Sequence, residues 1–326
     1  MKLPRRRFLY LAASAATIPV MSRTGWAQSY PSRPARIVVG FAAGSSPDIT
    51  ARLMGHWLSE RLGQPFIIDN KPGAGTNIGT EAVVRAPPDG HTLLWATTPN
   101  AINATFYDRL KFNFIEEITP VAAVIRLPNV MLMSPSVPAK TVPEFIAYAK
   151  ANPDKINMAS AVVGGVDHVA GELFKMMSGI SMVHVPYRGG GASLFADLLS
   201  GQVQVSFPAT AASLGYIRAG RLHALAITTA MRSPALPGVP TVSEFVPGYE
   251  ASAWHGVGAP KNTPAGIVAR LNEEINAGLA DPKIAAQLSA LGGTAIAGSP
   301  SEFGKLIAEE TEKWGKVITF AGIRAD

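Results

Sequence analysis

The chain contains no cysteine among its 326 residues. This absence excludes structural disulfides, thiolate catalysis and metal sites built on sulfur ligands. The six histidines fall at positions 56, 91, 168, 184, 223 and 255, and none has the H-E-x-x-H spacing of a zinc site. The sequence also lacks the G-x-S-x-G nucleophile elbow. These absences argue against the common hydrolase and metalloenzyme classes.

The N-terminus carries an apolar run, Leu11 to Met21, that is too short to span a membrane. The basic cluster Arg5-Arg6-Arg7-Phe8-Leu9 precedes this run, and Gly25-Trp26-Ala27 follows it as a small-x-small cleavage site. This pattern indicates a signal peptide over residues 1–27 and export to the periplasm. The cluster resembles a twin-arginine signal, although Pro4 stands where that signal has Ser or Thr, so the general secretory route stays open.

The net charge is close to zero once the leader is removed. The leader holds five of the 29 basic residues and no acidic one, which leaves 24 basic residues against 23 acidic ones. A net charge of +1 provides no basic face, so we expect no nucleic acid partner. About 300 residues remain, which is enough for two domains with separate cores.

The most informative stretch is Gly40-Phe41-Ala42-Ala43-Gly44-Ser45-Ser46-Pro47-Asp48-Ile49. The β-branched run Ala35 to Val39 before it predicts a buried strand, and apolar residues recur after it at helical spacing. Ser46 is predicted as the helix N-cap and Pro47 as the first helical residue. The loop would then present free N–H groups and the positive end of the helix dipole to an anion. An ordinary βα turn has the same local pattern.

Strand and helix patterns alternate along the mature chain, so we expect parallel sheets flanked by helices. At least four predicted strands end in small-residue loops that open helices: Ala43–Ser46, Gly73–Thr76, Ser160–Gly165 and Gly189–Ala192. Ligands of open α/β sheets bind beyond the carboxyl ends of the strands, where such loops gather. Two facing sheets would therefore line one cleft with backbone donors, which suits a small carboxylate held without an arginine clamp.

An enzyme is the alternative from a different class. Gly73-x-Gly75 follows a predicted strand, but Gly79 comes one residue too late for the G-x-G-x-x-G dinucleotide fingerprint. An export signal also argues against a freely dissociating cytoplasmic cofactor. We therefore predict no enzyme activity, no cofactor and no metal. An exported ligand sensor for a membrane kinase would use the same fold and stays a further alternative.

A series of motifs along nearly the whole mature chain resembles one family. In chain order the motifs are Tyr30-Pro31-Ser32-Arg33-Pro34, Asp48-Ile49-Thr50-Ala51-Arg52, Pro72-Gly73-Ala74-Gly75-Thr76-Asn77-Ile78-Gly79, Pro88-Asp89-Gly90-His91-Thr92-Leu93-Leu94, Tyr148-Ala149-Lys150-Ala151-Asn152-Pro153, His168-Val169-Ala170-Gly171-Glu172-Leu173-Phe174, His184-Val185-Pro186-Tyr187-Arg188-Gly189 and Arg232-Ser233-Pro234-Ala235-Leu236-Pro237. Through these motifs the sequence resembles the substrate-binding receptors of the tripartite tricarboxylate transporters, the Bug family.

The resemblance implies an α/β fold of the type II periplasmic-binding-protein class, a Venus flytrap in which each lobe is a mainly parallel sheet flanked by helices. Residues 28–127 and 254–326 would form lobe 1, and residues 128–253 would form lobe 2. The implied function is capture of a small carboxylate, either a di- or tricarboxylate or an aromatic acid, by backbone N–H groups in the interlobe cleft. The implied partners are the membrane permease subunits that accept the ligand, and we expect the receptor to be a monomer.

Twelve residues are predicted to contact the ligand by carrying the family pattern onto this chain: Phe41, Ala43, Gly44, Ser45 and Asp48 in the first loop, Gly75 and Thr76 in the second, Ser160, Gly165 and His168 in the third, and Tyr187 and Trp254 as cleft walls. Other roles are open for several of them. Asp48 could complement the helix dipole alone, His168 could stabilise its loop, and the aromatic residues could belong to the core.

Two positions depart from the family's pattern. Ser45 stands where the first loop of the family has a second glycine, and Pro208-Ala209-Thr210 follows Phe207 where the family has Asp or Asn. Losing that polar side chain removes a partner for a ligand ammonium or hydroxyl group. We therefore expect a plain or aromatic carboxylate rather than an amino acid.

Overall fold

The structure is a computed structural model that describes residues 30–187 and 191–325. The predicted signal peptide, residues 1–27, and the start of the fourth small-residue loop, residues 189 and 190, lie outside these ranges. None of the helices in the described ranges is long and apolar enough to cross a bilayer.

Strands and helices alternate along the described chain. The strands are β1 Ala35–Val39, β2 Phe66–Asn70, β3 Thr92–Thr97, β4 Ile118–Pro128, β5 Val130–Met133, β6 Asn157–Ser160, β7 Val183–Pro186, β8 Val205–Ser206, β9 His223–Ile227, β10 Ser252–Pro260 and β11 Thr294–Ala295. The α-helices are α1 Ser46–Leu62, α2 Asn77–Val84, α3 Thr98–Phe106, α4 Phe114–Glu117, α5 Val142–Ala151, α6 Val166–Ser178, α7 Gly191–Ser200, α8 Thr210–Arg218, α9 Ala265–Ala280, α10 Pro282–Ala290 and α11 Pro300–Ala321.

The described strands form two sheets, and each sheet is the centre of one lobe. The first sheet has the spatial order β11-β4-β10-β3-β1-β2, and the second has the order β7-β6-β8-β5-β9. Strand β1 lies parallel to β2 and β3, and β6 lies parallel to β7 and β8. The loops that follow parallel strands gather at one edge of a sheet, so each lobe presents a set of helix-opening loops at the same edge.

The chain crosses between the two sheets at two places. Strand β4 ends the first sheet's share at Pro128, and after Asn129 alone the chain enters the second sheet at Val130. Strand β10 returns it to the first sheet at Ser252. The predicted two-lobed α/β fold is therefore confirmed. The lobe boundaries at 127/128 and 253/254 stay a prediction.

The sheets are mixed, whereas the sequence predicted mainly parallel ones. Strand β10 pairs antiparallel with both β3 and β4, and β5 pairs antiparallel with both β8 and β9. The reason lies in the crossings: a chain that leaves a lobe along one strand and returns along its neighbour must run the second strand in the opposite direction. Alternating βα patterns describe only the strands between the crossings.

Helices cover both faces of the first sheet. Side chains alternate along β1, so that Ile37 and Val39 pack with Leu58 of α1 and Ile275 of α9, while Val38 belongs to the opposite core with α3 and α11. Because both faces of the sheet are buried, its free edge at the carboxyl ends of the parallel strands is left to bind a ligand.

One apolar core is shared by the two lobes. Met131 and Phe207 from the second lobe belong to the same buried cluster as Trp254 and Trp314 from the first. The lobes are thus joined by side-chain packing as well as by the two crossing segments.

Candidate ligand-binding site

A cavity of about 860 Å³ lies between the two lobes. Most of its lining residues are glycine, alanine, proline or larger apolar residues. The polar residues that line it are Ser46, Thr76, Thr97, Thr98, Asn103, Tyr107, Asn129, Asp167 and His255. A volume of this size accommodates a small organic molecule, and a mostly apolar wall with few polar groups is typical of ligand pockets.

Five helices begin at the wall of this cavity, and a sixth, α2, follows directly on the lining residue Thr76. The lining residues in or beside their first turns are Ser46 of α1, Thr98 of α3, Val166 of α6, Gly191 of α7 and Ala211 of α8. The first N–H groups of a helix have no intrahelical acceptor, and the helix dipole adds positive potential at the same end. No Lys or Arg lines the cavity in the ranges that the structure describes. Backbone amides therefore supply the positive potential of this site.

The first loop brings only one of its predicted residues to the cavity, together with two backbone amides that have no hydrogen-bond acceptor among the described residues. Phe41 lines the wall, whereas Ala43, Gly44 and Ser45 do not. The Ser45 hydroxyl donates to the Ala42 carbonyl at 2.7 Å, which turns this side chain back onto its own loop. The amides of Phe41 and Ala42 donate to no acceptor among the described residues. This loop can therefore offer main-chain donors to a ligand.

Asp48 holds the first loop in place from behind. Its buried carboxylate accepts hydrogen bonds from the Gly44 amide at 2.8 Å, from Arg52 at 2.9 Å and from Asn70 at 2.8 Å. Burial opposes ionisation of this carboxyl, but these hydrogen bonds outweigh it and the pKa of Asp48 is lowered. Asp48 does not line the cavity, and the Gly44 amide that it occupies is unavailable to a ligand.

The predicted N-cap of the first helix is one residue too late. The cap is Ser45, whose carbonyl accepts from the Ile49 amide, so Ser46 is the first helical residue and Pro47 the second. The hydroxyl of Ser45 makes no capping bond because it is already bonded within the loop.

The second loop is a strained turn that faces the cavity with both of its predicted residues. Ala74, Gly75 and Thr76 follow one another with φ values of 45°, 60° and 88°, in the left-handed region that only glycine adopts without cost. Asn103 of α3 holds the turn by donating to the Gly75 carbonyl at 2.6 Å. Gly75 and Thr76 both line the cavity. Strained backbone that neighbouring residues hold in place is typical of functional sites.

The third loop places Gly165 on the cavity wall, but the Gly165 amide already donates a hydrogen bond within the loop. That amide donates to the Val162 carbonyl at 2.9 Å, and the Ala161 amide donates to the Asp167 carboxylate at 2.5 Å. Burial raises the pKa of Asp167, and the amide donors oppose this only in part. The single carboxyl group among the described lining residues is therefore occupied by its own loop.

Two other predicted residues lie beneath the third loop. Ser160 and His168 are both fully buried and do not line the cavity. The His168 Nδ1 accepts from the Gly164 amide at 3.1 Å, and its ring stacks on His184 with centroids 3.6 Å apart. The Ser160 hydroxyl bonds to Nε2 of His184 at 2.7 Å. Both predicted residues thus support the loop from below.

The two aromatic candidates have different surroundings. Trp254 lines the cavity with a fully buried side chain that packs edge-on against Phe303, with centroids 5.6 Å apart. Tyr187 does not line this cavity but an adjoining pocket of about 350 Å³, which shares Phe106 and Val162 with it. Burial, together with the hydrogen bond that its hydroxyl donates to Asp197 at 2.6 Å, raises the pKa of Tyr187 to about 12.

The sequence analysis missed several lining residues. Thr98 and Pro99 open α3 immediately after β3, with a capping box formed by Thr97 and Asn100. This is the same strand, cap and proline signal that identified the first loop, so it could have been found. Asn129 carries no such signal, because its place on the cavity follows from the crossing between lobes.

His255 is a buried titratable group on the cavity wall. Its Nδ1 lies 3.0 Å from the Thr50 hydroxyl, and burial lowers its pKa from 6.5 to about 3. Burial and the nearby His168 also lower the pKa of His184 from 6.5 to about 4. Both rings are therefore neutral in the folded chain at neutral pH.

These two histidines predict that stability falls as the pH drops below 6.5. The unfolded chain takes up protons at both sites there while the folded chain does not, so the free energy of unfolding decreases by up to about 1.4 kcal/mol per pH unit for each site. The loss ends as the pH falls through the folded values of about 4 and about 3. Urea unfolding at about pH 7.5 and about pH 5 measures this effect. The His255→Gln variant should show a shallower dependence, and an equal slope in both proteins would contradict the role of His255.

Comparison with known proteins gives a consistent set of relatives. The family model described as "Tripartite tricarboxylate transporter family receptor" matches residues 50–323. Protein BugT of Bordetella pertussis is 33% identical over 319 residues, which cover 97% of this chain and 96% of that protein. The structure of R. palustris Rpa4515 with adipate is 36% identical, with a TM-score of 0.76, and covers 90% of this chain and 99% of that chain. MatC from Rhodopseudomonas palustris with bound malate is 30% identical, with a TM-score of 0.73, and covers 89% of this chain and 100% of that one.

Proposed function

Because the chain belongs to the tripartite tricarboxylate transporter family of receptors, we propose that it is a periplasmic solute-binding receptor. It captures a small organic carboxylate in the interlobe cleft and delivers it, chemically unchanged, to the membrane permease subunits of a tripartite transporter. It acts as a monomer, and its leader directs export.

The observation that carries this proposal is the convergence of helix N-termini on a cavity whose described lining has no cationic side chain. Free amides and helix dipoles attract an anion, and they do so without the strong attraction of a buried arginine pair. Such moderate, distributed attraction suits a receptor that must also release its ligand.

Five of the predicted residues are proposed to contact the ligand: Phe41, Gly75, Thr76, Gly165 and Trp254. Gly44, Ser45, Asp48, Ser160, His168 and Tyr187 act one step away through the hydrogen bonds described above, and no contact role is proposed for Ala43, which is exposed in the first loop. Asp48 is the clearest example, because it occupies the Gly44 amide and ties the first loop to Asn70.

The ligand class follows from the wall of the cavity and from the relatives. Adipate and malate are the molecules named with the two related structures. The cavity of this chain is large and mostly apolar, which favours a dicarboxylate with an aliphatic body or an aromatic acid over a small amino acid. Pro208 and Ala209 at the wall supply no polar side chain for an ammonium group.

A thermal unfolding screen tests the proposal. Adipate, malate, citrate, benzoate, aspartate and glutamate are each added to the mature protein over a range of concentrations. A ligand at about 100 times its Kd stabilises the folded state by about 2.7 kcal/mol, which raises Tm by several degrees for a chain of this size. Recovery of the bound acid unchanged after long incubation separates a receptor from an enzyme.

The outcomes of the screen are distinct. A shift with adipate, malate, citrate or benzoate supports the proposal. The largest shift with aspartate or glutamate would contradict the preference against amino acids while keeping the receptor function. No shift with any of the six acids would overturn the proposed function.

A further inference from the structure

The hydroxyl group of Thr76 has a hydrogen for which the described residues supply no acceptor. Thr76 lines the cavity and is only 4% exposed. Its backbone is held in the left-handed region at φ 88°, which is unusual for a β-branched residue. Gly40 packs directly on this side chain, since a Cβ at position 40 would lie 2.6 Å from the Cβ of Thr76. The position of the Thr76 side chain is therefore fixed, and its neighbours determine the direction in which the hydroxyl donates its hydrogen.

The neighbour that decides this is Asn100, a buried residue of α3 that does not line the cavity. The Thr97 amide donates to Oδ1 of Asn100 at 2.7 Å. A backbone N–H can only donate, so this contact identifies which atom of the Asn100 side chain is oxygen and which is nitrogen. The Nδ2 group then donates to the hydroxyl of Thr76 at 3.1 Å and to the hydroxyl of Thr80 at 2.8 Å.

The directions of the other hydrogens follow from this assignment. The Thr80 hydroxyl accepts from Asn100 and donates to the Thr76 carbonyl at 3.1 Å, so it is satisfied. The Thr76 hydroxyl also accepts from Asn100, and its own hydrogen must point elsewhere. Because Thr76 borders the cavity, an acceptor bound there is the available partner.

We propose that Asn100 is a positioning residue that makes the Thr76 hydroxyl a hydrogen-bond donor to the ligand. This inference rests on the proposed function, because it assigns the hydroxyl to a carboxylate oxygen of the bound acid. Asn100 does not touch the ligand. It acts by occupying the acceptor position of Thr76, so that the hydroxyl cannot turn its lone pairs towards an anion.

The arrangement explains why the second loop carries a threonine at a position that favours glycine. Its main-chain amide donates to the Gly73 carbonyl at 3.0 Å and is unavailable to the ligand. The hydroxyl is thus the donor that Thr76 contributes, and a glycine at this position would relieve the backbone but supply no donor. The cost of the strained turn is offset by an oriented hydrogen bond to a charged group.

The test uses affinities for adipate, malate and benzoate, measured by calorimetry on the mature protein. Thr76→Val removes the hydroxyl at almost the same volume. Asn100→Asp keeps the shape and the acceptor for Thr97, but it presents a second acceptor to Thr76, which draws the hydroxyl hydrogen away from the cavity. Each variant should weaken binding by about 10- to 100-fold, the range expected for one hydrogen bond to a charged group.

The double variant distinguishes positioning from a general effect. If Asn100 acts through Thr76, Asn100→Asp should weaken binding by no more than about threefold further once Thr76→Val is present, because coupled residues are not additive. If Asn100→Asp instead weakens binding directly through its negative charge, it should cause the same loss of affinity in the Thr76→Val background as in the wild type. Thr76→Ser should restore near wild-type affinity. Thr80→Val, which removes the other hydroxyl bonded to Asn100, serves as the matched control and should change affinity by less than about threefold.

The outcomes distinguish failure of this inference from failure of the proposed receptor function. Wild-type affinity in Thr76→Val, or full additivity of the two substitutions, overturns the inference and leaves the receptor function intact. Failure of wild-type protein to bind any of the three acids overturns the proposed function and the inference with it. Unfolding temperatures of all variants establish that the loss of binding occurs in folded protein.

Discussion

Replacing Gly75 with leucine should abolish detectable binding of adipate, with a loss of affinity of at least about 100-fold. Gly75 lies in the strained second loop at φ 60°, and even a Cβ there would lie 3.0 Å from the Tyr107 hydroxyl and 3.3 Å from Nδ2 of Asn103. Asn103 is the residue that holds the Gly75 carbonyl, so leucine would push away the support of the turn and fill part of the cavity. Calorimetric titration with adipate measures the loss.

The matched control for this substitution is Gly179→Leu. Gly179 ends α6 at φ 65°, nearly the same conformation, but a Cβ there would meet nothing within 4 Å. Both variants should lose about 1–3 kcal/mol of stability from backbone strain. Gly179→Leu should nevertheless bind adipate like the wild type, because it lies at the far end of the helix from the cavity. Normal binding by Gly75→Leu would remove the second loop from the site.

Replacing Gly164 with valine should weaken adipate binding by about 100-fold through a different mechanism, the prevention of lobe closure. Gly164 belongs to the third loop of the second lobe, and a Cβ there would lie 2.8 Å from two ring atoms of Phe106, which ends α3 in the first lobe. The bulk of valine would therefore hold the lobes apart. Overpacking of this kind costs about 1–3 kcal/mol, which the closed state alone would bear.

Small-angle scattering supplies the second measurement for this prediction. Adipate should reduce the radius of gyration of the wild type as ligand contacts from both lobes favour closure, and this compaction should be lost in Gly164→Val. Gly63→Val is the control, because Gly63 has the same φ of 72° and open space around it. Equal compaction in Gly164→Val and the wild type would show that the contact with Phe106 does not limit closure.

Local patterns predicted most helices and strands well. The strand over Ala35–Val39 has the predicted bounds, and the helix predicted after the first loop begins within one residue of the expected start. These features depend on side chains that are close in sequence, so the pattern contains the information needed. Helix α3 was missed although Thr97, Thr98 and Pro99 carry the same strand, cap and proline pattern as the first loop.

Five of the twelve predicted site residues lie at the wall of the interlobe cavity. Phe41, Gly75, Thr76, Gly165 and Trp254 do line the cavity, and their contact with a ligand stays a proposal. The remaining residues come from loops adjacent to the cavity, but several of their polar groups are already bonded, as the Gly44 amide is to Asp48. A sequence shows which loops can offer amides. It does not show which of those amides are already used by a side chain packed behind the loop.

The sequence by itself determined the alternation of strands and helices and the small-residue loops at helix starts, because each depends on neighbours within a few residues. The near-zero net charge of residues 28–326 follows from composition alone. Only the tertiary structure decided that α3 and α8 also begin at the cavity and that Asn129 lies at the crossing between lobes. It also decided that Asn100 donates to the Thr76 hydroxyl and so directs the hydroxyl hydrogen elsewhere. These relations join residues that are 20 or more positions apart or lie in different lobes. They arise when two sheets pack together and buried polar groups must find partners, and no local pattern encodes that choice.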